Sequence, residues 1–202
     1  VKRLTGLLVH RPVLGWVFRY RGWLLSPLLI VALVWPGSAI AVSWSAWPVG
    51  TGTVLLGVAL RIWAQQHIRH RLKVPMQFTT TGPFQFVRNP LYIGNTLLWV
   101  GAAFASKVLW LVPTTFFWCL GIYSLVTRHE EAQLQEIYGE PYRRYLAEVP
   151  RWLPRARASG LRFGNLGLVN EYFGAALRAE LHCLLILLPF ILKEFAPRWL
   201  GR

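Results

Sequence analysis

The sequence predicts an all-α protein, a polytopic transmembrane helix bundle of four to five spans with a helical hairpin and a helical cap on the cytoplasmic side. Three observations predict it. Hydrophobic residues make up 54% of the 202 residues and mean hydropathy is +0.39, more apolar surface than a soluble domain of this size hides. The formal net charge is +14, and the Lys and Arg residues flank apolar runs, which points to a membrane surface and away from nucleic acid. Many of the 11 Trp residues fall near the ends of those runs, as in an interfacial belt.

The first apolar run covers 23–41 and is interrupted by Pro36-Gly37. Lys2, Arg3, an apolar run and the small residues at Ala39 and Ala41 resemble a secretory signal. The basic region extends to Arg21 and further spans follow, so the run is read as an uncleaved first span. The second covers 47–64. The third and fourth lie within 91–127, too long for one helix when a bilayer core takes roughly 20 residues. Ala105-Ser106-Lys107 is the polar break between them, which predicts a tight hairpin with Pro113 in the first turns of the fourth helix, where it is tolerated. The fifth run, 181–192, is short and reads as a tilted span or an interfacial amphipathic segment. The length suits one membrane-embedded domain over 1–202, with its core at about 50–155 and a C-terminal helical extension over 156–202.

Basic residues set the orientation. Lys2, Arg3, Arg11, Arg19 and Arg21 precede the first span, and Arg69, Arg71, Lys73 and Arg88 follow the second. Seven Arg residues from Arg128 to Arg162 follow the fourth, whereas the first loop carries no charge and the hairpin turn only Lys107. The N-terminus, the 65–90 loop and the 128–175 region are therefore placed in the cytoplasm.

The chain contains no Asp: all eight acids are Glu, beginning with Glu130. This excludes an Asp-based Mg²⁺ site and a Ser-His-Asp triad. Cys119 and Cys183 sit in apolar stretches and read as buried thiols. His67 and His70 have a possible ligand spacing, but no third ligand lies near them, and no metal site is assigned.

Two polar constellations could carry chemistry. In the first, the Gly82-Pro83 turn leads to Arg88-Asn89-Pro90-Leu91-Tyr92, with Pro90 suited to open a helix. That places the positive end of the third helix beside Arg88, a corner favourable to anions; an Arg snorkelling to headgroups would read the same way. In the second, Arg128-His129-Glu130-Glu131 lies where the fourth span ends, and Gly139 should stop the helix. Adjacent helical residues point about 100° apart, so one carboxylate is expected inward and the other toward solvent or a basic partner. A solvated helix extension is the alternative, though carboxylates beside a membrane helix are functional candidates by default.

Together these constellations resemble the membrane methyltransferases that include isoprenylcysteine carboxyl methyltransferase and the phospholipid N-methyltransferases. That family carries a Gly-x-Tyr turn, then Arg-His-Pro-x-Tyr opening a helix, then a hairpin, a Glu-Glu pair, an aromatic-Gly and Tyr-x-x-Tyr. The corresponding residues are Gly82-Pro83-Phe84, Arg88 to Tyr92, Gly94, Glu130-Glu131, Leu134, Tyr138-Gly139, Tyr142 and Tyr145. The resemblance implies a pocket for S-adenosyl-L-methionine, lined by Met76, Gln77, Phe78, Thr79, Phe84, Asn89, Pro90, Leu91, Tyr92 and Glu130. Arg88 and Glu131 are the catalytic candidates: Arg88 suits the cofactor's carboxylate, and a protonated amine acceptor would need a general base, for which Glu131 is preferred over Tyr92 and His129. A lipophilic or lipidated acceptor in the bilayer is implied as well. Asn89 and Met76 stand where the family has His, and Phe84 where it has Tyr. Val126 occupies the place of a substrate-contacting Arg, with Arg128 the nearest base. A nicotinamide-dependent reductase of the steroid-reductase kind shares the helical core, but no Gly-rich pyrophosphate loop is evident here. A transporter would call for polar groups near midplane, and the spans hold few.

Overall fold

The computed structural model describes residues 12–35, 43–71, 78–154 and 167–199, and among them every regular element is helical. Helix α1 is Pro12–Val34, α2 Ser43–Arg71, α3 Pro90–Ala105, α4 Leu111–Tyr138 and α5 Glu140–Glu148. After α6 (Phe173–Glu180), a 3₁₀ stretch, Leu181–Leu187, runs directly into α7 (Leu188–Trp199). Three stretches are long and apolar enough to cross a bilayer: Val13–Val34, Ser45–Ile68 and Phe173–Glu194.

Two of these differ from the sequence expectation. The first helix begins at Pro12, not near residue 23. Its N-terminal turns carry Arg19 and Arg21, and Arg21 stays satisfied by donating to the Phe18 carbonyl at 2.7 Å and lying 4.5 Å over the Phe18 ring. The fifth run is not an isolated short segment. Phe173–Glu180 prolongs it, and the 22 residues to Glu194 provide ~33 Å of rise as helix, enough to span.

Close packing of α2 on α3 organises the bundle. A Cβ on Gly50 would meet the Gly101 carbonyl oxygen at 2.8 Å, and one on Gly57 would meet that of Gly94 at the same distance. The pairing of Gly50 with Gly101 and Gly57 with Gly94 makes the helices antiparallel. Small residues seven apart on both helices let the backbones touch, the usual route to tight association where lipid removes the hydrophobic drive. Helices α1 and α4 are also antiparallel: Trp118 Nε1 donates to the Leu24 carbonyl at 2.9 Å, and the Phe18 and His129 rings are 5.5 Å apart. Between these pairs, Leu25, Tyr92, Cys119, Tyr123 and Val126 form one buried cluster.

The α3–α4 hairpin turns at Ser106 to Trp110, where the sequence placed its break, and Pro113 lies in the first turn of α4. Lys107, at φ 62°, reaches Glu194 at 2.7 Å. Nearby, Lys193 donates to the Ala32 and Trp35 carbonyls at 2.9 and 2.8 Å and satisfies the end of α1. Helix α4 stops at Gly139, whose φ of 61° suits glycine. The short α5 then folds back as the expected cap, burying Tyr142 and Tyr145.

Candidate active site

One end of the bundle gathers the start of α3, the last turns of α4, the cap α5 and the 78–89 segment. They enclose a cavity of about 510 Å³, a size that holds a nucleoside-like ligand. Proline places its rim. Pro90 opens α3 and Pro83 the 3₁₀ turn Gly82–Gln85, each where a missing N–H costs nothing. The segment is pinned twice: Arg88 N donates to the Pro150 carbonyl at 2.9 Å, and the Tyr145 hydroxyl donates to the Phe84 carbonyl at 2.8 Å.

Ten of the described residues that the sequence nominated line this cavity, Phe78, Thr79, Phe84, Arg88, Asn89, Pro90, Leu91, Tyr92, Glu130 and Glu131, whereas His129, the other base candidate, is not in its lining. Met76 and Gln77 lie outside the described residues. The two carboxylates divide their work, and neither turns to solvent. Glu130 accepts a 2.8 Å hydrogen bond from the Tyr92 hydroxyl. It lies past the apolar part of α4, and burial pushes its pKa above the usual carboxylate range, while the Tyr92 bond and the Arg21 charge pull it back. Glu131 is buried and takes the Arg151 guanidinium at both oxygens, with Arg88 Nη1 3.5 Å from Oε1. Two guanidiniums occupy those oxygens, so Glu131 holds the cations of the rim in place.

Three buried polar atoms on residues that line the cavity have no hydrogen-bond partner among the described residues: Thr79 Oγ1, Arg88 Nε and Asn89 Nδ2. Such atoms are costly when buried, and together they make a corner of donors at the N-terminus of α3. Opposite stands an aromatic wall. The Phe78 ring lies 5.1 to 5.4 Å from those of Tyr138, Tyr142 and Tyr145, and burial raises the pKa of Tyr142 and Tyr145, keeping both neutral.

Several lining residues were not nominated: Phe18 and Arg21 of α1, Arg61 and Ile68 of α2, Asn95 of α3, and Gln133 and Leu134 of α4. The signal for Arg61 was present, a charge inside an otherwise apolar span. Asn95 was visible near a span end but not connected to the site. Nothing local marked Phe18 or Arg21. His67 is buried under the site, with Nδ1 2.9 Å from Thr81 Oγ1 and Nε2 3.1 Å from the Gly167 carbonyl. It joins the segment before the turn to the one before α6. His70's side chain lies outside the described residues, and no group of three or more metal-ligating side chains occurs among those described.

Comparison with known proteins agrees with this arrangement. The family model of the phospholipid methyltransferases matches residues 28–141, which includes both constellations and the hairpin between them. The chain belongs to the phospholipid methyltransferase family. A methanethiol S-methyltransferase of Crocosphaera subtropica is 33% identical over 81 residues, 40% of this chain. The match spans 30% of that relative's length. No solved structure matches the chain. The matched family region stops before α6, so the C-terminal helices of this phospholipid methyltransferase family member lie beyond it.

Proposed function

We propose that this chain is an S-adenosyl-L-methionine-dependent methyltransferase acting on a lipophilic acceptor that enters from the bilayer. The observation that carries the reading is the meeting of Glu130–Tyr92 with Arg88 and Asn89 in one cavity, from stretches 38 residues or more apart. The residues fit the cofactor. Its carboxylate calls for donors, and Arg88 and Asn89 line the cavity, with Nε and Nδ2 lacking a hydrogen-bond partner among the described residues. Its cationic groups call for a carboxylate, and among the described residues Glu130 has only a neutral phenol as hydrogen-bonding partner. A purine finds aromatic faces in Phe78, Tyr142 and Tyr145.

When bound, the cofactor supplies a methyl group on a positively charged sulfur that leaves as a neutral thioether. The chain's contribution is alignment, and effective-molarity arguments allow ~7–11 kcal/mol from positioning alone. Tyr92 orients Glu130. Glu131, itself fixed by Arg151, holds Arg88 at the rim, and Tyr145 holds the Phe84 turn over it. Phe18 and Leu134 keep the neighbouring wall apolar and exclude water.

The basic side chains at this end, Arg19, Arg21, Arg88, Arg128, Arg143, Arg144 and Arg151, support a cytoplasmic site. At the far end, Lys107 is neutralised by Glu194, and Lys193 is held on backbone carbonyls. The relative named for methanethiol makes S-methylation one candidate, and the family description makes phospholipid amines another. Calorimetry of S-adenosylhomocysteine on the detergent-purified chain tests the reading. Micromolar binding that Glu130→Gln abolishes is expected; no binding to the wild-type chain overturns it.

A further inference from the structure

Beyond the rim, the cavity continues one turn deeper into the bundle and ends on a charge. Arg61 of α2 and Asn95 of α3 both line it. Asn95 lies three residues after Tyr92, on the same face of α3 and ~4.5 Å deeper along its axis. Arg61 Nη1 donates to Asn95 Oδ1, while Nε and Nη2 donate to Glu180 Oε2 of α6 at 2.7 and 2.6 Å. The Arg61 stem crosses α3 at Gly94, where a Cβ would meet its Cγ at 2.6 Å.

A guanidinium has five N–H donors; Asn95 and Glu180 take three and the Cys183 thiol also lies against the cation, which still leaves a donor over. Arg61 borders the cavity and Glu180 does not, so the cation lies between the cavity and its counter-ion. Arg61 is ten residues from the end of α2, ~15 Å into the helix. A charge held at that depth is expensive unless it meets something.

The charges of the whole cavity point the same way. Its wall carries Arg21, Arg61 and Arg88 against Glu130 and Glu131, and the groups behind the wall, Arg151 and Glu180, leave the excess positive. Glu131 is committed to two guanidiniums, Glu130 is taken by the cofactor's cations in the reading above, and no histidine among the described residues lines the cavity. A protonated amine acceptor would face Arg61 at the deep end and find no free base there, whereas an anion would be drawn to it.

We propose that Arg61, braced by Glu180, receives the nucleophilic group of the acceptor in its anionic form, so that the site selects thiolates or carboxylates over amines. This rests on the methyltransferase reading above. The acceptor gives its proton to water on entering, helped by the guanidinium, as a neighbouring Arg lowers a thiol pKa. Its lone pair then forms the bond to the methyl carbon, and the electron pair of the broken carbon–sulfur bond stays on the cofactor sulfur. Glu180 lies outside the family-matched region, so the C-terminal helices tune this selection.

The full chain in nanodiscs, with methyl-labelled cofactor, is offered 1-octanethiol, octanoate and octylamine. Label is expected in the thiol or the carboxylate, with the amine at least tenfold slower. Arg61→Gln should lower kcat/KM for the anionic probe at least tenfold and weaken binding of octanesulfonate, a non-reacting anion, about tenfold. For the thiol it should also move the half-maximal pH upward by about one unit. S-adenosylhomocysteine affinity should stay within twofold, and Arg61→Lys should recover most of the loss. Octylamine turnover matching either anion, or no label in either anion while S-adenosylhomocysteine binds, overturns the proposal and leaves the methyltransferase reading standing. An Arg61→Gln chain with unchanged pH profile and octanesulfonate affinity overturns it too. Should that variant fail to fold, the wild-type panel decides alone. Absence of S-adenosylhomocysteine binding removes both readings.

Discussion

The Tyr92 phenol donates a 2.8 Å hydrogen bond to Glu130, joining the first turn of α3 to the last turns of α4 across 38 residues. The bond fixes the side chain that the cofactor's cations are proposed to meet. Bonds to a charged acceptor contribute ~1.5–3 kcal/mol, and about 1.4 kcal/mol is tenfold in affinity. Tyr92→Phe is therefore expected to weaken S-adenosylhomocysteine binding about tenfold by calorimetry. An unchanged affinity would show that the bond does not position Glu130 for the ligand.

Glu130 gives that binding a pH dependence. Its raised pKa means that acidification protonates it sooner than an ordinary carboxylate. Affinity should be level at high pH and fall on acidification before a normal Glu would respond. The stability effect has the opposite sign. Burying the charge costs stability above the raised pKa, and protonation relieves that cost below the unfolded value. Ligand-free Glu130→Gln should thus melt above wild type at neutral pH, with the gap closing in acid. Parallel melting curves across pH would contradict this.

Glu131 separates two guanidiniums, and its removal should cost more than the loss of either. Breaking a buried pair costs on the order of 3–5 kcal/mol. In Arg151→Gln, Arg88 still faces Glu131 at 3.5 Å; in Glu131→Gln, Arg88 and Arg151 face each other uncompensated. Thermal melts in detergent should show a clearly larger drop for Glu131→Gln. The reverse order would mean that Arg151, not Glu131, organises the rim.

The α2–α3 contact admits no side chain. A Cβ on Gly101 would meet the Gly50 carbonyl oxygen at 2.7 Å, whereas one on Gly121 of α4 meets nothing within 4 Å. Gly101→Ala should lower the melting temperature by several degrees, in line with the ~1–3 kcal/mol of an overpacked contact. Gly121→Ala should hold or raise it, since alanine favours helix.

Much of this architecture is written locally. Pro90 and Gly139 bound their helices because one lacks an N–H and the other tolerates positive φ, and each acts on its own backbone wherever it stands. Apolar runs and the polar break at Ser106-Lys107 located the hairpin, and the scarcity of acids pointed to Glu130 and Glu131. The first helix nevertheless starts at Pro12, ahead of its apolar run, and the last span starts at Phe173. Arg61 and Glu180 were not legible as partners, because an ion pair across 119 residues leaves no periodicity. The division of labour between Glu130 and Glu131 also belonged to the fold, since adjacent residues differ only in what packs against them. Local chemistry determined where α3 starts and α4 stops; only the antiparallel packing of α2 on α3, and α6 behind them, decided which charges meet, because partner choice depends on distance in space.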